Sequence, residues 1–192
     1  MLNLIKQLRE RTGLGMMDCK KALEESNKDI EKAIEFLRKA GTIKAAKKAE
    51  RETKEGLIDS YIHPGGRIGA LVKVNCETDF VARNEEFKTL VHNIAVQIAA
   101  SDPQFLKPED IPEEIKEKEK DIFREQLKKE KKPEAIMDKI IEGKLQKFYS
   151  EVCLIKQPFF KEEKITVEEL INQTISKLGE NIQIAEFTRY KL

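Results

Sequence analysis

The sequence predicts an α+β fold: a three-stranded antiparallel sheet packed by helices on one face, preceded by a three-helix module and interrupted by a projecting antiparallel helical hairpin. Three observations predict it. Two alternating apolar runs flank Pro64-Gly65-Gly66, the pattern of a β-hairpin. On either side of that pair, apolar residues recur at helical spacing. A further alternating run, Ile182 to Tyr190, follows a helix with a capping signature and supplies the closing strand. The chain is expected to divide into a docking module at 1–41, a linker helix at 42–55 and an α+β core at 56–192, with the helical hairpin inserted at about 113–148.

Leu4, Ile5 and Leu8 form the apolar face of a first helix, and Gly13-Leu14-Gly15 breaks it. Met16, Cys19 and Leu23 follow at helical spacing, and Ser26-Asn27-Lys28 supplies a stop. Asp29 is an N-cap for the third helix, whose apolar positions are Ile30, Ala33, Ile34 and Leu37. Gly41 is expected to end it. So few apolar residues make a marginal core, suited to a docking head. Thr42 to Glu55 is rich in Lys, Ala and Glu with little apolar periodicity, which predicts a solvated connecting helix.

Periodicity then changes to two. Ile68, Ala70, Val72, Val74 and Cys76 share one face of the second strand, and Phe87, Leu90, Val91, Ile94 and Ile98 form the helical stripe that would cover it. Pro103, Pro108 and Pro112 mark a loop. Beyond it, Glu113 to Lys132 is almost wholly charged, with sparse Ile115, Ile122, Phe123 and Leu127. After Pro133, the segment Ala135 to Phe148 carries Ile136, Ile140, Ile141, Leu145 and Phe148. Two thin stripes joined by a short break predict the projecting hairpin. Val152 to Ile155 reads as extended, and Thr166-Val167-Glu168-Glu169 fits a capping box ahead of a helix that Gly179 ends.

Composition limits the function. Charged residues are 37% of the 192, yet 36 Lys and Arg meet 35 Asp and Glu, a net charge of +1. Phosphate-backbone binding needs a basic excess or stripe, so no direct nucleic-acid contact is expected and a protein surface is the favoured partner. Cys19, Cys76 and Cys153 are widely spaced and odd in number, and His63 and His92 are the sole histidines. Neither a disulfide scaffold nor a zinc site is expected. The N-terminal stretch becomes charged too soon for a signal peptide, and no apolar run reaches membrane-spanning length. A soluble, cytoplasmic protein is expected, without a cofactor or metal of its own.

No Gly-rich phosphate loop, GxSxG or His-rich ligand cluster occurs, so no enzyme is expected. Cys76, at the end of an apolar strand face, reads as core rather than nucleophile. Two segments stand out instead. Leu8 to Leu23 places Leu14, Met16 and Met17 at a glycine-pinned bend. One of the two methionines is expected in the core and the other at a partner contact. Asn75 to Asn84 runs from strand to helix, with Thr78 or Asp79 as helix N-cap. Phe80 there is either an exposed aromatic at the junction or an ordinary core residue.

These segments carry a family resemblance. RTGLGMMDCKKAL (11–23) with DIEKAIEFLRKAG (29–41) resembles the N-terminal module of the elongation factor Ts family, and VNCETDFVARNEEF (74–87) resembles its exchange motif. Glu142 to Val152, followed by Gln157-Pro158-Phe159, is similar to the segment that follows the family's helical hairpin. The resemblance spans nearly the whole chain in order. It implies a guanine-nucleotide exchange factor for elongation factor Tu, in which Thr78, Asp79, Phe80 and Val81 wedge beside the partner's magnesium site. Phe80 would insert its ring, Asp79 would disturb the ion and its water shell, and Thr78 and Val81 would fix the wedge. Arg11, Leu14, Met16, Met17 and Lys21 would dock the partner's nucleotide-binding domain. The magnesium and GDP would belong to the partner, and no covalent step is required. The chain resembles the short form, with a single strand-hairpin-and-helix module, whose copies pair as a homodimer through the core sheet. Glu77 stands where Gln is common, and little effect is expected from it. The three-helix head also resembles ubiquitin-associated modules, which leaves a non-catalytic adaptor as the alternative function.

Overall fold

Glycine and cap chemistry set the first three helices of the computed structural model, which describes residues 1–130 and 132–192. Helix α1 (Leu2–Thr12) ends at Gly13, whose φ of 70° lies in the left-handed region, and its N–H donates to the Arg9 carbonyl. Helix α2 (Met16–Glu25) stops before Asn27 and Lys28, both at positive φ. Helix α3 (Ile30–Ala46) starts at Asp29, whose side chain accepts from the Lys32 N–H. Ile5, Leu8, Cys19, Ala22, Leu23, Ala33 and Leu37 form a small core among them.

Gly41 does not end the third helix. Helix α3 runs through it to Ala46, and turns lead from there to the first strand. No separate connecting helix spans 42–55. The reason is tertiary: a Cβ at Gly41 would lie 3.0 Å from the Ser176 hydroxyl oxygen of the helix across from it. The glycine lets two backbones come together, which outweighs its poor helix propensity. Leu37 belongs to the head core and Ala45 to the main core, so α3 is a strut shared by both.

Strand β1 (Glu55–Ile62) pairs antiparallel with β2 (Ile68–Cys76), and β2 pairs antiparallel with β5 (Ile182–Lys191), giving the order β1-β2-β5. A bulge falls between the Val74–Ile184 and Lys73–Glu186 pairs. Ala70, Val72, Val74 and Cys76 point to the buried face, as their alternation predicts. Against that face pack the one-turn helix α4 (Asp79–Ala82), α5 (Glu85–Ser101) and α8 (Val167–Leu178). Phe87, Val91, Ile94 and Ile98 of α5 are all but fully buried, each contributing about 1.5–3 kcal/mol. The opposite face is open: Ile58, Ile62, Leu71 and Tyr190 are all exposed on it.

Helices α6 (Glu113–Lys129) and α7 (Glu134–Val152) pack on each other through Leu127, Met137, Ile141 and Leu145, a core separate from the other two. Of the segment 152–155 only Cys153 is extended, bridged to Phe105. Helix α7 continues to Val152, and Leu154–Lys156 form a 3-10 turn. Cys153 and Leu154 are fully buried there, with the Leu154 N–H donating to Phe105 O. Short strands β3 (Pro158–Phe159) and β4 (Glu162–Thr166) make a second, two-stranded sheet. Buried Gln97 holds it, donating to Pro158 O and accepting from the Phe160 N–H. Thr166 and Glu169 close the expected capping box of α8, and Gly179 ends that helix at φ 81°.

Candidate functional site

Strand β2 ends at Cys76, and the chain turns at Glu77 and Thr78 into α4. Thr78 is the N-cap of α4, its hydroxyl accepting from the Val81 N–H at 3.4 Å. Val81 faces inward and packs on the main core. Asp79 and Phe80 face outward. The Asp79 carboxylate pairs with Arg83 at 3.0 Å, both well exposed, so the pair contributes little and leaves the carboxylate available. Phe80 is 86% exposed. A ring this open forgoes the roughly 1.5–3 kcal/mol of burial that a core phenylalanine gains. The choice between core aromatic and exposed junction is thereby decided for exposure.

The turn is held from the segment that leads into β5, the strand paired with β2. The carboxylate of Glu180 accepts from the Thr78 hydroxyl at 2.7 Å and from the Thr78 N–H at 3.0 Å. Glu77 reciprocates, accepting from the Asn181 N–H at 2.6 Å, and its carboxylate also lies 3.5 Å from the Arg51 guanidinium. Asn181, 2% exposed, donates from its side chain to Arg51 O at 2.9 Å. Lys48 donates to Gly179 O; burial, then the charge of Arg51, lower its ammonium below the usual range. Glu77 is therefore a structural tie between the turn into α4 and the segment after α3. Sequence reasoning singled out neither Glu180 nor this role of Glu77. In a chain 37% charged, a lone carboxylate gives no local signal.

Cys76 donates its thiol to Thr78 O at 3.2 Å. Burial, aided by the Glu180 charge, pushes this thiol up to about 11. It is protonated at neutral pH and is a core residue, not a nucleophile. His92 lies 3.0 Å from Asp59 on the surface, and His63 contacts the Tyr61 hydroxyl at 3.2 Å. Among the described residues, no three His, Cys, Asp or Glu side chains converge as a metal site. No helix among them is long and apolar enough to cross a membrane.

At the head, the bend lies between α1 and α2. Leu14 is half-buried against the head core. Met16 and Met17 are both exposed, at 56% and 74%, so the expectation that one of them enters the core is corrected. Leu14, arriving from the bend, occupies the end of that core, while Cys19, Ala22 and Leu23 fill the inner face of α2. Arg11 pairs with Glu31 at 2.7 Å, which raises the guanidinium and lowers the carboxylate. Lys21 is exposed. A groove of about 560 Å³ between head and core is lined by both signs of charge, including Arg38 paired with Glu162 at 3.1 Å. Mixed charge of this kind does not select one ligand.

Comparison with known proteins covers almost the whole chain. A family model described as Elongation factor TS matches residues 8–192. The protein named Elongation factor Ts from Moorella thermoacetica is 58% identical over 188 residues, covering 98% of this chain and 93% of its own length. Its namesake from Koribacter versatilis is 59% identical over 188 residues, covering 98% and 86%. That from Thermosipho melanesiensis is 58% identical over 187 residues, covering 97% and 95%.

Proposed function

The chain belongs to the elongation factor Ts family, and on that premise we propose that it is the guanine-nucleotide exchange factor for elongation factor Tu in translation elongation. The observation that carries this reading is Phe80, 86% exposed on a one-turn helix tied to the core at both ends. A GTPase holds its nucleotide largely through Mg²⁺ and backbone amides around the phosphates. A protein that releases the nucleotide must bind the empty partner better than the loaded one, and the coupling is reciprocal. Phe80 enters among partner side chains beside the magnesium site, and the Asp79 carboxylate disturbs the ion and its water shell. Thr78 caps the wedge and Val81 roots it in the core. Nothing covalent happens on this chain, and the magnesium and GDP belong to the partner.

Arg11, Leu14, Met16, Met17 and Lys21 dock the partner's nucleotide-binding domain. Exposed Met16 and Met17 support this, because methionine adapts to a partner surface. Residues 1–41 act as the docking module, with a ubiquitin-associated-like arrangement, and 56–192 as the core. Helices α6 and α7 form the projecting antiparallel hairpin. Two copies pair through the open faces of their sheets, where Ile58, Ile62, Leu71 and Tyr190 lie exposed. The protein works in the cytoplasm, without direct nucleic-acid contact.

Stopped-flow release of fluorescent GDP from elongation factor Tu tests the wedge. Phe80→Ala is expected to cut acceleration of release by about a hundredfold or more, comparable to losing a buried aromatic anchor, while the circular dichroism spectrum stays unchanged. Undiminished exchange by a folded Phe80→Ala variant refutes the role. Binding to elongation factor Tu with no change in GDP release by the parent chain would instead support a non-catalytic adaptor working through the head.

A further inference from the structure

A helix of one turn, such as α4, has no stability of its own, because nucleation is unfavourable and few bonds repay it. Its own cap, from Val81 N–H to the Thr78 hydroxyl, is long at 3.4 Å. The direction of Phe80 must therefore be imposed from outside the turn. Two contacts do this on the outer side, and both end on one residue. Glu180 accepts from the backbone N–H and the hydroxyl of Thr78, at 3.0 and 2.7 Å. Bonds to those two atoms fix both the backbone and the χ1 of Thr78, and Phe80 lies two residues on.

Glu180 itself sits on a rigid base. It follows Gly179, the left-handed stop of α8, and precedes Asn181, which is buried and bonded to Ala49 O and Arg51 O. The reciprocal bond from Asn181 N–H to Glu77 makes the arrangement a crossed pair. Each of the segments 77–78 and 180–181 lends a carboxylate to a backbone N–H of the other. Hydrogen bonds to an ionised carboxylate are stronger than neutral ones.

We propose that Glu180 is the positioning residue of the wedge, holding Thr78 so that Phe80 is already aimed when the partner arrives. This rests on the exchange reading given above. Glu180 touches neither nucleotide nor magnesium in this role; it removes the ordering cost that a loose turn would add to engagement. Docking through the head is independent of it. Its loss therefore lowers the maximal exchange rate more than it raises the half-saturating concentration.

Three substitutions separate reach from charge in the GDP-release assay, titrated with each variant against loaded elongation factor Tu. Glu180→Ala removes the grip. Glu180→Asp keeps the charge but is one methylene too short, and Glu180→Gln keeps the length and two hydrogen-bonding atoms without the charge. Alanine and aspartate are expected to lower the maximal rate about tenfold, with half-saturation within about twofold and glutamine within about threefold of the parent. Parental rates from Ala and Asp overturn the proposal. So does the reverse order, Asp active and Gln inactive, since charge alone would then be at work. If Glu180→Ala fails to fold by thermal melting, the contrast between Asp and Gln decides. Phe80→Ala in the same series keeps the two readings apart. If it is slow while Ala and Asp at 180 are not, positioning alone falls; if it exchanges at the parental rate, the wedge falls and positioning with it.

Discussion

Cys76 and Cys153 show how a single side chain reports its surroundings. Both are wholly buried, and burial pushes each thiol from 9.0 to about 11, with the charges of Glu180 and Asp110 respectively adding to it. Between those values the unfolded chain gives up protons that the folded chain keeps. Stability is then fully present below the ordinary thiol value and falls as pH rises through the interval. The urea midpoint is expected to drop between about pH 8 and pH 10.5, and the Cys76→Val, Cys153→Val double variant to drop less. Equal losses in both chains would assign the effect to other groups. The sequence already made Cys76 core and gave Thr78 as one of two possible caps, because both signals are local. Exposure of Phe80 was not legible, since a phenylalanine at a junction suits a core as well as a surface. Glu180 was hidden altogether: its partner is 102 residues away.

Among the elements, those with long, regular patterns were legible. Helix α5 and strand β2 have the buried faces their spacing predicts, and α8 has its capping box. Thr166→Ala is expected to cost about 1 kcal/mol in chemical denaturation, the usual loss for an N-cap. Where a local signal competes with packing, the local signal misled. Gly41 reads as a stop, but α8 needs the room it leaves, and α3 passes through it. Gly41→Leu is accordingly expected to destabilise by about 1–3 kcal/mol through overpacking, seen as a lower denaturation midpoint. A gain in stability would mean the two helices do not meet there. The run 152–155 is a similar case. Short apolar stretches do not distinguish strand from helix: α7 takes Val152, a 3-10 turn takes Leu154 and Ile155, and Cys153 alone stays extended, bridged to Phe105 from 48 residues away in sequence.

At the scale of the molecule, one sheet has two unlike faces. Helices cover one, and Ile58, Ile62, Leu71 and Tyr190 lie bare on the other. The proposed pairing of two copies predicts a dimer in sedimentation across a dilution series. Ile62→Lys with Leu71→Lys is expected to give the monomer, by placing like charges face to face across the pair. A parent chain that sediments as a monomer at every concentration ends that proposal. The α+β class was legible because the hairpin and the closing strand each announce themselves. The continuity of head and core along α3 was not, because Ala45 looks like any other residue in a Lys- and Ala-rich stretch yet lies in the main core.

The strand order β1-β2-β5 also has a consequence in time. Thr78 leaves the ribosome 102 residues ahead of Glu180, which at about 5–20 residues per second is an interval of roughly 5–20 seconds. Throughout it β2 has β1 beside it but not β5, and the turn that carries Phe80 lacks the grip of Glu180. On the proposed role of Glu180, a chain still being made displays its aromatic ring on a slack turn. Competence to act on a translation factor then waits until Glu180 has emerged and closed on Thr78.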